Sequence, residues 1–166
     1  DCHLYFWDET LNDGWTEITS NTTALTAHRG YAFYPENTGD TALHFSGRLH
    51  HGTPGSTSLS YTPGNNKAGF NLVGNPFPSY IDLGTEASAP GITTDNLSAT
   101  VWFRSNGNFY TYNRAGGGVA QEGASRYVAP GQAFWVYVQS SAGGTFQAGD
   151  AARTHANTEF LKNSPE

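Results

Sequence analysis

The sequence predicts an all-β fold: an antiparallel β-sandwich, jelly-roll-like, of about ten short strands. Three observations predict it. First, 20 Gly and 8 Pro among 166 residues punctuate the chain at strand-like intervals. Second, the stretches between them are rich in Thr and Asn, which disfavour helix interiors by stiffening χ1 or competing for backbone bonds. Third, aromatics make up 14% and charged residues 13%, about half the usual charge, so the chain has enough apolar side chains to build a core.

The elements follow in order. Residues 3–8 and 14–19 flank a polar turn, and 30–34 is a short aromatic run. Residues 42–49 alternate, with Leu43, Phe45, Gly47 and Leu49 on one face and His44, Ser46, Arg48 and His50 on the other. Residues 56–62 alternate Ser with Thr57, Leu59 and Tyr61, as in a strand with one wet face. Residues 70–73 form a buried strand. Residues 74–97, with Pro76, Pro78 and Pro90, read as one long loop separating two halves. Residues 99–104 and 109–112 flank Asn106-Gly107, the preferred pair for a two-residue type I′ hairpin turn. That turn sets Val101 opposite Tyr112, Trp102 opposite Thr111, Phe103 opposite Tyr110 and Arg104 opposite Phe109. Opposed residues share a face, so Val101, Phe103, Tyr110 and Tyr112 form the core side, while Trp102, Arg104 and Phe109 lie together on the other. Pro130-Gly131 suits the centre of a type II turn feeding a strand at 132–139. Strands at 145–148 and 153–158 complete the set. Phe45, Phe70, Phe103 and Phe134 are the expected aromatic core. No composition break divides residues 1–160, which read as one domain, and residues 161–166 read as a polar linker stub toward a following domain.

Composition also excludes functions. A net charge of −6 with two lysines argues against nucleic acid, which needs a basic face. One cysteine forbids an internal disulfide. No apolar run reaches the roughly 18 residues of a membrane-spanning helix. The chain starts Asp1-Cys2-His3 with no Met and no leader pattern, which suggests a mature product or a piece of something longer, with neighbouring domains as its first partners.

One segment is distinctive. Residues 69–82 read Gly-Phe-Asn-Leu-Val-Gly-Asn-Pro-Phe-Pro-Ser-Tyr-Ile-Asp. Together with Arg29-Gly30-Tyr31-Ala32, Leu43-His44-Phe45-Ser46-Gly47 and Ala129-Pro130-Gly131-Gln132-Ala133-Phe134-Trp135-Val136, it resembles a β-sandwich module of large secreted or cell-surface Bacteroidota proteins. Arg153-Thr154-His155 resembles the ending of that module, and the likeness runs over roughly residues 5–160. Leu83 and Ala152 depart from it, where Trp and Met are usual. The resemblance implies an exported, non-catalytic structural or adhesive module, often placed upstream of a type IX secretion sorting domain. It carries no functional residues over, because the shared motifs read as structural. Asn75 before Pro76, in particular, reads as a loop anchor.

Chemistry-bearing constellations are sparse. No nucleophile elbow, zinc-binding HExxH or phosphate loop is present, no pair of the 14 acids is placed in one pocket by sequence, and no cofactor is implied. We therefore expect no catalytic residues and no enzyme. His50-His51 point to opposite faces of any strand and cannot chelate together, so no metal site is assigned. Asp8, Glu9, Asn12 and Asp13 make an oxygen-rich loop that matches no calcium-binding spacing and reads as a polar hairpin turn. The aromatic set off the core is the candidate ligand surface: Trp102 with Arg104 and Phe109, and Trp135 with Tyr137. Sugar rings stack on such side chains, which suggests a carbohydrate-binding module as the alternative to a purely structural one. Asp40-Thr41-Ala42 fits a bacterial O-glycosylation pattern at Thr41.

Overall fold

The computed structural model describes residues 2–35, 46–105, 107–121 and 123–155. Its strands are β1 (Cys2–Trp7), β2 (Trp15–Ile18), β3 (Tyr31–Pro35), β4 (Thr57–Leu59), β5 (Phe70–Gly74), β6 (Tyr80–Asp82), β7 (Ile92–Asp95), β8 (Thr100–Ser105), β9 (Asn108–Asn113), β10 (Val119–Ala120), β11 (Tyr127–Val128), β12 (Ala133–Tyr137), β13 (Gly144–Ala148) and β14 (Arg153–Thr154). Helical geometry among the described residues is confined to two single 3-10 turns, at Ala115–Gly117 and Asp150–Ala152. The fold is all-β and sandwich-like, with every strand pairing antiparallel.

The β8–β9 hairpin is built as its turn chemistry dictates. Val101 pairs with Tyr112, Trp102 with Thr111, Phe103 with Tyr110 and Arg104 with Phe109. Gly107 takes the positive φ, 76°, that the turn needs. The hairpin sits in a five-stranded sheet of order β10-β9-β8-β12-β5. The turn before β12 also has the expected form: Gln132 N–H bonds the Ala129 carbonyl at 3.1 Å, and Gly131 has φ 71°.

The inner face of this sheet carries the core. Val73, Val101, Phe103, Tyr112, Phe134, Val136 and Val138 are all buried, and Phe134 stacks edge-on against Phe146 at 5.6 Å. Two smaller sheets, β4-β13-β7 and β11-β6-β14, cover that face with Leu59, Ile92, Phe146, Ala148, Ile81 and Val128. A fourth sheet, β2-β1-β3, lies against the outer face. Residues 28–30 join it to the rest by pairing with β5: Gly30 N–H bonds Leu72 O at 3.0 Å, and Gly74 N–H bonds His28 O at 2.9 Å. Gly30 is required there, because a Cβ would come within 2.9 Å of Val73 O.

The 69–82 motif is a set of loop anchors. Asn75 Nδ2 donates to the Ser79, Val128 and Ala129 carbonyls (2.7, 3.1 and 3.1 Å), and its Oδ1 accepts from Phe77 N–H at 2.9 Å. Asn71 donates through Nδ2 to Ser60 O and Gly69 O and accepts from Ser60 N–H. Both asparagines satisfy backbone groups that the bends leave unpaired.

The structure corrects four expectations. Residues 74–97 are not a single loop: β6 and β7 lie within them, and each pairs with a later strand. They escape a pattern reading because each is three or four residues long, too short to show a period. Among the described residues there are fourteen strands where about ten are expected, and β10 and β11 are only two residues long. Phe70 is not core. In β5 it is Asn71 and Val73 that point inward, so Phe70 and Leu72 face outward. Residues 46–49 are not strand. Phe45, Thr41, the rest of the 42–49 segment, Asn106 and the 161–166 stub lie outside the described residues.

Candidate functional site

Strand alternation sends Trp135 and Tyr137 outward from β12 while Phe134 and Val136 are buried. Trp135 pairs with Trp102 of β8, so the two rings stand side by side on the outer face. Phe70 meets the Trp102 ring edge at 5.4 Å. These three rings form a floor.

The wall comes from the outer sheet. Trp7 and Trp15 pair across β1 and β2 and so share a face, which they turn toward the floor. Their ring centroids are 5.4 Å apart, and each meets Trp135 edge-on, at 5.3 and 5.8 Å. Edge-to-face contacts of this kind each contribute about 0.5–1.5 kcal/mol beyond area burial. Trp7 Nε1 also donates to the Phe70 carbonyl at 2.8 Å, fixing the wall to the floor strand.

Between floor and wall lies an open cavity of about 490 Å³, lined by Trp7, Trp15, Lys67, Phe70, Trp102, Arg104, Phe109 and Trp135. All four tryptophans of the chain line it. A second cavity of about 490 Å³ is lined by Tyr5, Trp15, Ala32, Phe33, Tyr34 and Arg104. Trp15 and Arg104 line both, so the two cavities adjoin. Volumes of this size suit small organic ligands.

Four of the five expected ligand residues, Trp102, Arg104, Phe109 and Trp135, meet in the first cavity. Tyr137 does not line it. That ring packs tilted on Phe70 at 5.1 Å and edge-on to Tyr61 at 6.3 Å, so it flanks the floor on the same outer face. Sequence reasoning missed Trp7, Trp15 and Lys67. The alternation of Tyr5 and Trp7 marks one aromatic face of β1, but nothing local says which sheet that face meets.

The charges at the site are cationic. The Arg104 guanidinium lies 5.9 Å from the centre of the Phe109 ring. No Asp, Glu or His lines either cavity among the described residues. Several acids are held elsewhere by the fold. Glu9 Oε1 accepts from Thr62 N–H and Gly69 N–H (2.7 and 2.8 Å), and its Oε2 accepts from Thr62 Oγ1 at 2.9 Å. Burial works against the Glu9 charge, but these bonds and one from Ser60 outweigh it and hold the carboxyl below its ordinary value. Asp82 takes a bidentate pair from Arg126, at 2.8 and 2.7 Å. Asp150 accepts from Gly52 N–H at 2.7 Å. The oxygen-rich turn after β1 is divided: Glu9 turns inward, while Asp8 Oδ1 accepts from Thr10 N–H and Oγ1. No cluster of three or more metal-ligating side chains occurs among the described residues. Among the described residues no helix is long and apolar enough to cross a membrane, which says nothing of a β-barrel.

No protein-family model, curated protein or solved structure matches this chain.

Proposed function

We propose that this domain is a non-catalytic adhesive module of an exported bacterial surface protein, and that its aromatic groove takes carbohydrate. The observation that carries the proposal is the gathering of every tryptophan in the chain around one open cavity. Indole faces give the broad apolar contact that the CH faces of a pyranose need, and the Trp7 and Trp15 wall gives the groove depth. The lining offers stacking and charge pairing. Export, an origin in Bacteroidota and a type IX sorting domain further along the chain are supported by the 69–82 and 129–136 motifs and by a surface low in charge. Glycosylation at Thr41 belongs to the same reading and is tested by mass spectrometry of the protein from its native host.

The tryptophans make the proposal directly testable, because their emission reports on the groove and on little else. Titration with a panel of plant, algal and host oligosaccharides should quench or shift that emission saturably, and Trp102→Ala should abolish the response. A flat response across the panel counts against carbohydrate.

The rim supports a second reading. Phe109 and Tyr34 are 56% and 66% exposed, so apolar surface continues beyond the cavity. A neighbouring domain of the same protein would cover such a rim. Emission that changes on adding that domain, and not on adding glycans, favours this alternative.

A further inference from the structure

We infer that the groove is built for an acidic glycan, a uronic-acid chain with one carboxylate seated at Arg104; this rests on the carbohydrate reading above. The chain as a whole is acidic, with 14 Asp+Glu against 8 Lys+Arg. The two charged side chains lining the groove, Arg104 and Lys67, nevertheless have the opposite sign. Among the described residues, neither makes an ion pair. Glu17, which shares a face of the outer sheet with Trp15, is turned to His3 and bonds its Nδ1. A cationic groove on a domain of net negative charge favours an anionic ligand at that groove.

The position of Arg104 sharpens the assignment. It lines both cavities, so a ligand spanning them passes over its guanidinium. Each cavity is about 490 Å³, so the smallest full ligand is at least two sugar residues, one on each side of Arg104. The planar fork of arginine matches a carboxylate through two parallel bonds. A uronic acid carries its carboxylate directly on the ring carbon, so the ring can stack on tryptophan while the carboxylate reaches sideways to Arg104.

The test follows tryptophan emission during titration with three sets of oligomers: galacturonan, mannuronan and glucuronan; their carboxyl-reduced neutral counterparts; and sulfated chains on the same backbones. At low salt at least one uronate should bind about tenfold tighter than its neutral counterpart, with an advantage that shrinks as salt rises. Arg104→Gln should remove that advantage, read as the ratio of uronate to neutral-chain affinity falling to about one. Arg104 is exposed, so an unchanged thermal midpoint confirms that this variant is folded. Equal binding of uronate and neutral chains overturns the inference and leaves the carbohydrate reading standing. A preference for the sulfated chains overturns the carboxylate assignment. No response to any set overturns both.

Discussion

Glu9 shows how far a residue's role can lie from its sequence neighbourhood. Beside Asp8, Asn12 and Asp13 it reads as one more solvated loop acid. It is 3% exposed, and its carboxylate closes the 62–69 segment by bonding Thr62 and Gly69. Its partners are more than fifty residues away, so nothing local announces them. The folded state holds the Glu9 proton less tightly than the unfolded chain does. The stability it contributes is therefore full above the ordinary value of 4.5 and is lost as pH falls through the lowered one. Glu9→Gln should lower stability by about 2–3 kcal/mol at pH 7, because a charged acceptor of the Thr62, Gly69 and Ser60 bonds is lost, and should flatten the acid limb of a Tm-against-pH curve. His28 adds a second step at higher pH. It is 1% exposed, at φ 61°, edge-on to Phe146 at 5.7 Å, with the Ala148 N–H donating to its Nε2 at 3.1 Å. Burial pushes its imidazole below the ordinary 6.5, helped slightly by His50, while backbone bonds oppose the shift. The unfolded chain takes up this proton first, so stability should decline as pH drops below about 6.5. His28→Asn, which tolerates the left-handed backbone, should lower the plateau and remove that step; a step that persists in the variant refutes the assignment.

At the scale of elements, legibility tracked the range of the interactions that define each one. The β8–β9 hairpin was readable to the residue because its turn is encoded in two adjacent positions and fixes every cross-strand pair. The same alternation placed Trp102, Arg104 and Phe109 on one face. Phe70 reads as core from its alternation, but β5 puts Asn71 inside, to bond Ser60 and Gly69, and a polar residue at an inward position inverts the pattern. The β1–β2 hairpin was readable as two strands, but its role as the groove wall was not, since sheet stacking is encoded nowhere along either strand. Gly14 is the element's critical position. A Cβ there would lie 2.4 Å from Asp8 O and 2.9 Å from the Trp7 ring. Gly14→Ala should cost about 1–3 kcal/mol and displace Trp7, seen as a red shift in tryptophan emission and weaker glycan binding. An unchanged spectrum would show that Trp7 does not depend on the tightness of this turn.

For the molecule as a whole, the two faces of the five-stranded sheet differ in kind. The inner face is close-packed: Val73, Phe134 and Val138 are fully buried, and Phe103 and Phe146 nearly so. The outer face meets its covering sheet across an open cavity, through edge-on indoles, the Trp7–Phe70 hydrogen bond and the pairing of residues 28–30 with β5. Local opening free energy follows buried apolar contact, so the layers should open separately. Hydrogen exchange should therefore show amides of β1 and β2 exchanging at least about tenfold faster than those of β8 and β12, at a pH where the fold is stable. A ligand seated in the groove touches both floor and wall, and opening the outer sheet would release it. Saturating ligand should thus slow exchange in β1 and β2, and by the same factor in β8 and β12 where those open by global unfolding, because both openings release it. Uniform exchange across all four strands would mean that the outer sheet and the sandwich form one cooperative unit. Protection gained in β8 and β12 alone would mean that the ligand binds without touching the Trp7 and Trp15 wall.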